Sequence, residues 1–431
     1  MGTACFSNRL SRGDHPSFGS LDTFWIGPHL VNEMSHPTGL SPPSMYGGLL
    51  TVALAVTGAC ADARSPSRVT VDTLESGIVV VTNAGSGIWG GRSAWRLTEE
   101  VRIGARDGAG RTVFGDIRSL ALDRLGRVYV VDYHADEIRL FDTDGSYVRA
   151  IGRRGRGPGE LHGPSGIRID PAGRLWVQDL GNQRYSVFDT TGLLVQEHPL
   201  RGGLMAVEWT DGVFTRAGDL YDRVPVWFGR RGRTGFGRYD TLGGEFVDTV
   251  PQPPFPPGTQ FPFGRSTATP RGWWMGVRSA YRFWEVAWAG DTIRIVERPS
   301  EPSSLTEQQR DSVLQAVREM KRLSRGEVDL DVPELQPIFD WMLVDDRDYL
   351  WVMLTPGPEA EATTFDVFDP EGVYLGEVHA PHRAEYYRPR PVVRGDRFAF
   401  VTKDELDVEY VVVMRIGGRE GVVSSSDRRL R

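Results

Sequence analysis

Any chemistry in the body of this sequence falls to histidines, carboxylates and arginines, because both cysteines, Cys5 and Cys60, precede its repeats. Without a thiol the body can hold no disulfide framework, no Cys-ligated metal and no Cys nucleophile. Of eight histidines, five lie in the body. His379 and His382 form HAPH, a pair whose spacing across Pro381 is not helical. A zinc site needs three or four convergent ligands, so these two are expected to be loop histidines. No Gly-x-Ser-x-Gly elbow occurs, and no Ser-His-Asp nucleophile is assigned. GRRGRGPG, residues 152–159, has the glycines of a phosphate loop but lacks the Lys-Ser/Thr of a P-loop and the strand–helix setting of a dinucleotide site. The arginine clusters at 153–156 and 230–233 read as solvated loop charge. Catalytic residues: none. Metal: none. Cofactors: none expected.

Two carboxylates recur at one spacing. GRVYVVDYHADEIRLFDTDG (126–145) and GRLWVQDLGNQRYSVFDTTG (173–192) are identical at eight of twenty positions, with an offset of 47. Asp132 and Asp179 occupy the same place in each copy. Repetition of that kind marks a structural carboxylate, expected to bond turn amides, more than a catalytic acid. Each copy reads as a strand, a polar turn, a second strand and an Asp-x-x-Gly turn, where Gly supplies the positive φ that such turns use. An inner strand precedes each copy (IRSLALD, SGIRID) and an outer strand follows it (SYVRAIG, LLVQEHPL). That makes four strands per repeat. The inner and second strands look apolar on both faces, as in sheets covered on both sides.

The pattern returns at 348–378 and 395–416, and more faintly at 206–250 and 272–297. Six repeats plus an insertion near 299–333 fill the stretch from Val101 to Ile416, and a seventh would overrun it by about fifty residues. The final copy supplies three strands. Its missing outer strand is expected from WRLTEEVRIG, residues 95–104, which would close the ring and remove an exposed sheet edge. Upstream, RVTVDTL and GIVVVTN read as an added hairpin at that seam. The expected fold is therefore all-β, a six-bladed β-propeller of four-stranded antiparallel blades over 95–417. Its last blade is closed by the N-terminal strand, and it carries one helical insertion. Within the insertion, Ser304 and Glu307 form a capping-box pair, and Leu305, Val313, Leu314, Val317, Met320 and Leu323 fall at helical spacing. This helix is expected to pack on the disc or to cover the channel mouth. The Pro-rich stretch 253–264 reads as a linker.

Before the body lie three further segments. Residues 1–44, rich in Pro, Gly, Ser and His, read as disordered or upstream sequence. Residues 45–60 (MYGGLLTVALAVTGAC) resemble a bacterial lipoprotein signal. The apolar run 49–56 is too short to span a bilayer, which takes about 20 residues, and small residues precede Cys60. The resemblance implies lipidation at Cys60 and export to the periplasm or the outer-membrane or cell surface. Thr57 stands where that motif has an aliphatic residue. Residues 61–94 would be a tether and the hairpin, and 418–431 a disordered tail. The chain is 25% charged with a formal net charge of −7, which argues against a nucleic-acid partner.

GRRGRGPGELHGPSGIRIDPAGRLWVQDLGNQRYSVFD, residues 152–189, resembles NHL-type and related bacterial six-bladed propellers. The likeness is specific over 95–198, good over 337–416 and faint between. It implies a rigid disc with a central channel and leaves activity open, since the scaffold carries unrelated functions. Amidating-lyase relatives draw histidines from several blades, but here the residue 48 before His162 is Phe114. Lactonase-type propellers hold an axial divalent cation. Here the inner-strand starts offer Asp116, Arg118, Ser165 and Asp340, few oxygens for Ca²⁺, which takes six to eight. The expected function is an exported, lipid-anchored binding protein for a protein, peptide or glycan, touching the membrane only through its lipid. A divalent-metal-dependent hydrolase or lactonase is the alternative. Ligand contacts are expected from Arg118, Ser165 and Asp340 on the axis and from Arg318 and Arg322 of the inserted helix.

Overall fold

The computed structural model describes residues 52–53, 67–90, 93–107, 110–200, 213–215, 218–228, 231–239, 246–251, 264–278, 280–300, 302–323, 335–356, 360–385 and 389–419. Most of the signal-like segment, Cys60, the upstream stretch 1–44 and the Pro-rich stretch as far as residue 263 lie outside them. The chain divides into two compact units: Leu40–Ser303 with Leu335–Arg431, and Met1–Gly39 with Ser304–Glu334.

The larger unit is a six-bladed β-propeller. Blades 1 to 5 follow one another in chain order, each a four-stranded antiparallel meander from the axis outward. Blade 1 consists of Ile117–Leu122, Val128–Asp132, Glu137–Phe141 and Tyr147–Ile151. Blade 2 consists of Pro164–Ile169, Leu175–Asp179, Arg184–Phe188 and Leu194–Pro199. Blade 3 has a very short inner strand, Val213–Phe214, then Leu220–Phe228, Arg231–Tyr239 and Phe246–Pro251. Blade 4 is Gly264–Thr269, Gly272–Val277, Arg282–Ala287 and Thr292–Glu297. Blade 5 is Phe339–Val344, Leu350–Leu354, Thr363–Phe368 and Tyr374–Ala380.

Blade 6 takes Val392–Arg394, Arg397–Lys403 and Glu409–Gly417 from the C-terminal end, and its outer strand, Arg96–Ile103, from the N-terminal side. The register is Val411 with Ile103, Val413 with Val101, and Gly417 with Arg96. This is the closure expected from the sequence. A bulge at Glu100 carries the closing strand from one interface to the other: Leu97 joins the core between blades 5 and 6, and Ile103 the core between blades 6 and 1.

The sequence folds this way because each blade must hide two faces. Second strands such as VYVVD and LWVQD are buried along their full length. Stacking sheets around an axis covers both faces at once. Each of the six interfaces between neighbouring blades has its own apolar cluster. The Asp-x-x-Gly turns also form as read: Gly145 and Gly192 have φ of 83° and 87°, and their amides donate to the carbonyls of Asp142 and Asp189.

The upstream hairpin, Arg68–Thr73 with Val79–Ala84, exists but is not at the seam. Val79–Ala84 pairs in parallel with the outer strand of blade 4, Val81 beside Val296, where both valines are buried. That strand's outer edge accepts the pairing, and Asn83 fixes it by bonding Gly372 and Tyr374 of blade 5. The chain then runs along blade 5, where Trp89 donates its backbone N–H to Leu375, before entering the closing strand. A second correction concerns the C-terminal end. Arg419 is buried and ion-paired to Asp345, so the ordered chain continues past residue 418, and 420–431 lie outside the described residues.

Among the described residues the smaller unit contains the helix α1, Glu307–Leu323. Its capping box lies two residues later than Ser304 and Glu307: Thr306 Oγ1 accepts the Gln309 amide and Gln309 Oε1 accepts the Thr306 amide. Thr306 is the residue directly before the first helical turn, the position that N-cap geometry requires.

Candidate functional site

The inner strands of the propeller enclose an axial channel of about 320 Å³, lined by residues of all six blades. Three of those strands share a local device. In blades 1, 2 and 5 the register with the second strand skips one residue: Arg118, Ser165 and Asp340. Each skipped residue is the extra member of a β-bulge, a feature that re-aims a side chain. These are the three axial residues expected from the sequence, and the structure separates them.

Arg118 and Ser165 line the channel. The Arg118 guanidinium is held by Asp116, Nε to Oδ2 at 2.7 Å, and lies 4.2 Å from the centroid of the Tyr133 ring. Ser165 is buried, and its Oγ donates to Gln178 Oε1 at 2.8 Å. Asp340 is not a lining residue. Its carboxylate is buried against Arg278, which follows the second strand of blade 4, and accepts Thr355 Oγ1 at 3.0 Å. Arg278 also donates to the Phe339 carbonyl, so this ion pair ties blade 4 to blade 5. Trp341, the next residue, reaches the channel instead. Arg318 and Arg322 are exposed on α1, in the smaller unit.

Sequence reasoning missed three further arginines of the channel: Arg168, Arg390 and Arg394. Arg168 stands between Ile167 and Ile169 in the inner strand of blade 2, and its Nη1 donates to the Ile167 carbonyl at 2.7 Å. That placement was a legible signal. Arg390 stands between Pro389 and Pro391 just before the inner strand of blade 6, with its guanidinium 5.4 Å from the Trp341 ring centroid. Prolines on both sides restrict its backbone. Arg394 Nη1 donates to the Leu122 carbonyl at 3.1 Å. Burial, and then the positive charge of Arg168, pull the Arg390 pKa down to about 9. Burial likewise lowers that of Arg168, against the pull of Asp222. Among the described lining residues these four arginines meet one carboxylate, Asp346, which accepts the Gly395 amide.

The repeated carboxylates are structural, as their repetition suggested. Asp132 accepts the amides of Gly115 and Ala135 and pairs with Arg139 at 3.0 Å. Asp179 accepts the amide of His162 and the Asn182 side chain and pairs with Arg184 at 3.2 Å. Gly115 and His162 are themselves 47 apart. A second aspartate series escaped the reading: Asp123, Asp170, Asp345 and Asp404 each bind the aromatic six residues on, namely Tyr129, Trp176, Trp351 and Tyr410.

The remaining candidates are accounted for as follows. His379 is on the outer strand of blade 5, not in a loop, beside Thr364, and His382 meets Glu99 and Arg102 of the closing strand. Arg153 and Arg154 pair with Glu160 and Asp136 while remaining largely exposed. The side chains of 230–233 lie outside the described residues. A second cavity of about 320 Å³ lies between 105–116 and 403–409. Around it Arg106 pairs with Asp404, and Glu409 accepts the Ile117 amide. Among the described residues no three His, Cys, Asp or Glu side chains converge as a metal site would require.

The DUF5128 family model, described as a 6-bladed beta-propeller, matches residues 111–201. No curated protein matches the sequence. Similar solved structures include a protein described as exported from Bacteroides fragilis, at 12% identity and a TM-score of 0.46, covering 75% of this chain and 95% of that one. Virginiamycin B lyase from Staphylococcus aureus is 12% identical with a TM-score of 0.36, covering 74% and 88%. A gluconolactonase from Xanthomonas campestris is 12% identical with a TM-score of 0.39, covering 81% and 90%. At this level of similarity none of the three bears on what this chain binds or does.

Proposed function

We propose that this six-bladed propeller, NHL-type in its repeats, is an exported binding protein anchored through lipid on Cys60, and that its axial channel mouth recognises a protein, peptide or glycan. One observation carries the reading. The channel is open, comparable to the smaller ligand pockets of about 300–1,000 Å³, and lined by arginines from blades 1, 2 and 6. Guanidinium groups bind and orient a ligand, whereas the alternative, a metal-dependent lactonase, needs several converging oxygens. The only carboxylate of the described lining is already engaged by an amide.

The anchoring part rests on the apolar run before Cys60. No described helix is long and apolar enough to cross a membrane. Mass spectrometry of the mature N terminus is expected to find a diacylglyceryl group on Cys60, and a Cys60→Ser chain should leave the membrane fraction. For the binding part, the full chain is titrated with panels of periplasmic peptides and envelope glycans and assayed on lactones with and without Ca²⁺. The expected result is saturable binding without turnover. Lactone hydrolysis that a chelator abolishes and Ca²⁺ restores would replace this reading by the enzymatic one.

A further inference from the structure

We propose that the axial channel is an oxyanion receptor, in which a carboxylate or phosphate group of the ligand seats between Arg168 and Arg390; the inference rests on the binding reading above and names the chemistry of what is bound. The two guanidinium groups come from different blades, 2 and 6, into one cavity. Each is held before any ligand arrives. Arg390 projects from a Pro-Arg-Pro segment over the Trp341 ring, and Arg168 is tied to the Ile167 carbonyl. Planar, bidentate donors of this kind match the geometry of carboxylate and phosphate groups, and pre-positioning reduces the entropy lost on binding.

Burial first, and then the like charge of Arg168, lower the pKa of Arg390, while Asp222 pulls that of Arg168 the other way. An anion between them removes the repulsion and adds charge-assisted hydrogen bonds. Arg118 and Arg394 extend the positive lining, which draws an anion inward at low ionic strength. The second cavity is of mixed charge, with Asp116, Asp407 and Glu409 beside Arg106 and Lys403.

The test is isothermal titration calorimetry of the full chain at low ionic strength with pyrophosphate and with citrate, and with maltotriose and an uncharged peptide as neutral probes. At least one anion is expected to bind one-to-one. Citrate alone would identify a carboxylate ligand, pyrophosphate alone a phosphate ligand. Arg168→Met and Arg390→Met, which keep the apolar stems, should each weaken that binding by about tenfold or more, and Arg390→Lys by less. Thermal melts without ligand accompany the titrations: Arg390→Met should melt at or above the parent temperature, since it removes one of two repelling charges, while Arg168→Met, which takes a cation from the buried Asp222, should melt below it. Should a Met variant fail to fold, Arg390→Gln replaces it. Absence of anion binding, or anion affinity unchanged in both variants, overturns the inference. If a neutral probe binds while the anions do not, the binding reading survives without it; if nothing binds and lactone turnover appears, both fall.

Discussion

Asp345 carries four partners on one buried carboxylate: the amides of Arg347 and Tyr349, the Trp351 indole and the Arg419 guanidinium. Removing it leaves buried donors and a buried cation unmatched. Asp345→Ala is expected to lower unfolding free energy by about 3 kcal/mol or more, the usual result of breaking a buried pair. A urea melt showing less than about 1 kcal/mol would contradict this role. A second aspartate, Asp369, ties stability to pH. Burial raises its pKa from 3.8 to about 6, while the Val373 and Glu371 amides pull it down and the Glu371 charge pushes it up. Between those two values the folded state keeps a proton that the unfolded state has released, so stability falls as pH rises through that window. Above it the deficit is constant, and below it the deficit vanishes. Asp369→Asn keeps the acceptor for both amides and should therefore stabilise the protein above pH 6 and leave it unchanged near pH 4. Thermal melts at the two pH values decide it.

At the scale of the element, the closing strand and its lead-in hold the ring. Trp95 is fully buried and meets Trp89, Tyr349 and Trp351 at 5.1–5.6 Å between ring centroids, with Arg419 above its ring. Trp95→Ala is expected to cost about 3–5 kcal/mol, and hydrogen exchange should report the loss first across Glu409–Gly417, the strand that the closing strand covers. Uniform loss over all blades would argue against a local seam. The C-terminal edge gives a sharper contrast. Truncation after Glu420 retains Arg419, while truncation after Gly417 deletes it and should reproduce the Asp345→Ala destabilisation.

For the whole molecule, six similar blades might suggest independent unfolding, as in open repeat arrays where each unit touches only its neighbours. Closure changes that. The strand Arg96–Ile103 pairs with Glu409–Gly417 across the length of the propeller, and every blade has an apolar cluster on both sides. Losing one blade exposes two interfaces at once. Urea unfolding followed by tryptophan fluorescence and by far-UV circular dichroism is therefore expected to give coincident single transitions for the propeller. Separated transitions would show that the ring opens before its blades melt.

The sequence by itself determined the blade plan. The 47-residue offset, the Asp-x-x-Gly turns and the three-strand final copy gave six blades and their closure, because strand period and turn chemistry are local properties. It also pointed to Arg118, Ser165 and Asp340 as axial residues at the starts of inner strands. Tertiary structure alone decided what each does there: the bulge aims two at the channel, while Arg278, from the neighbouring blade, takes the third. The same holds for the hairpin that joins blade 4 and for Arg390, whose meaning depends on Arg168 far away in the chain. Which face a side chain meets is set by register against a partner strand, and for these residues the partners come from other blades.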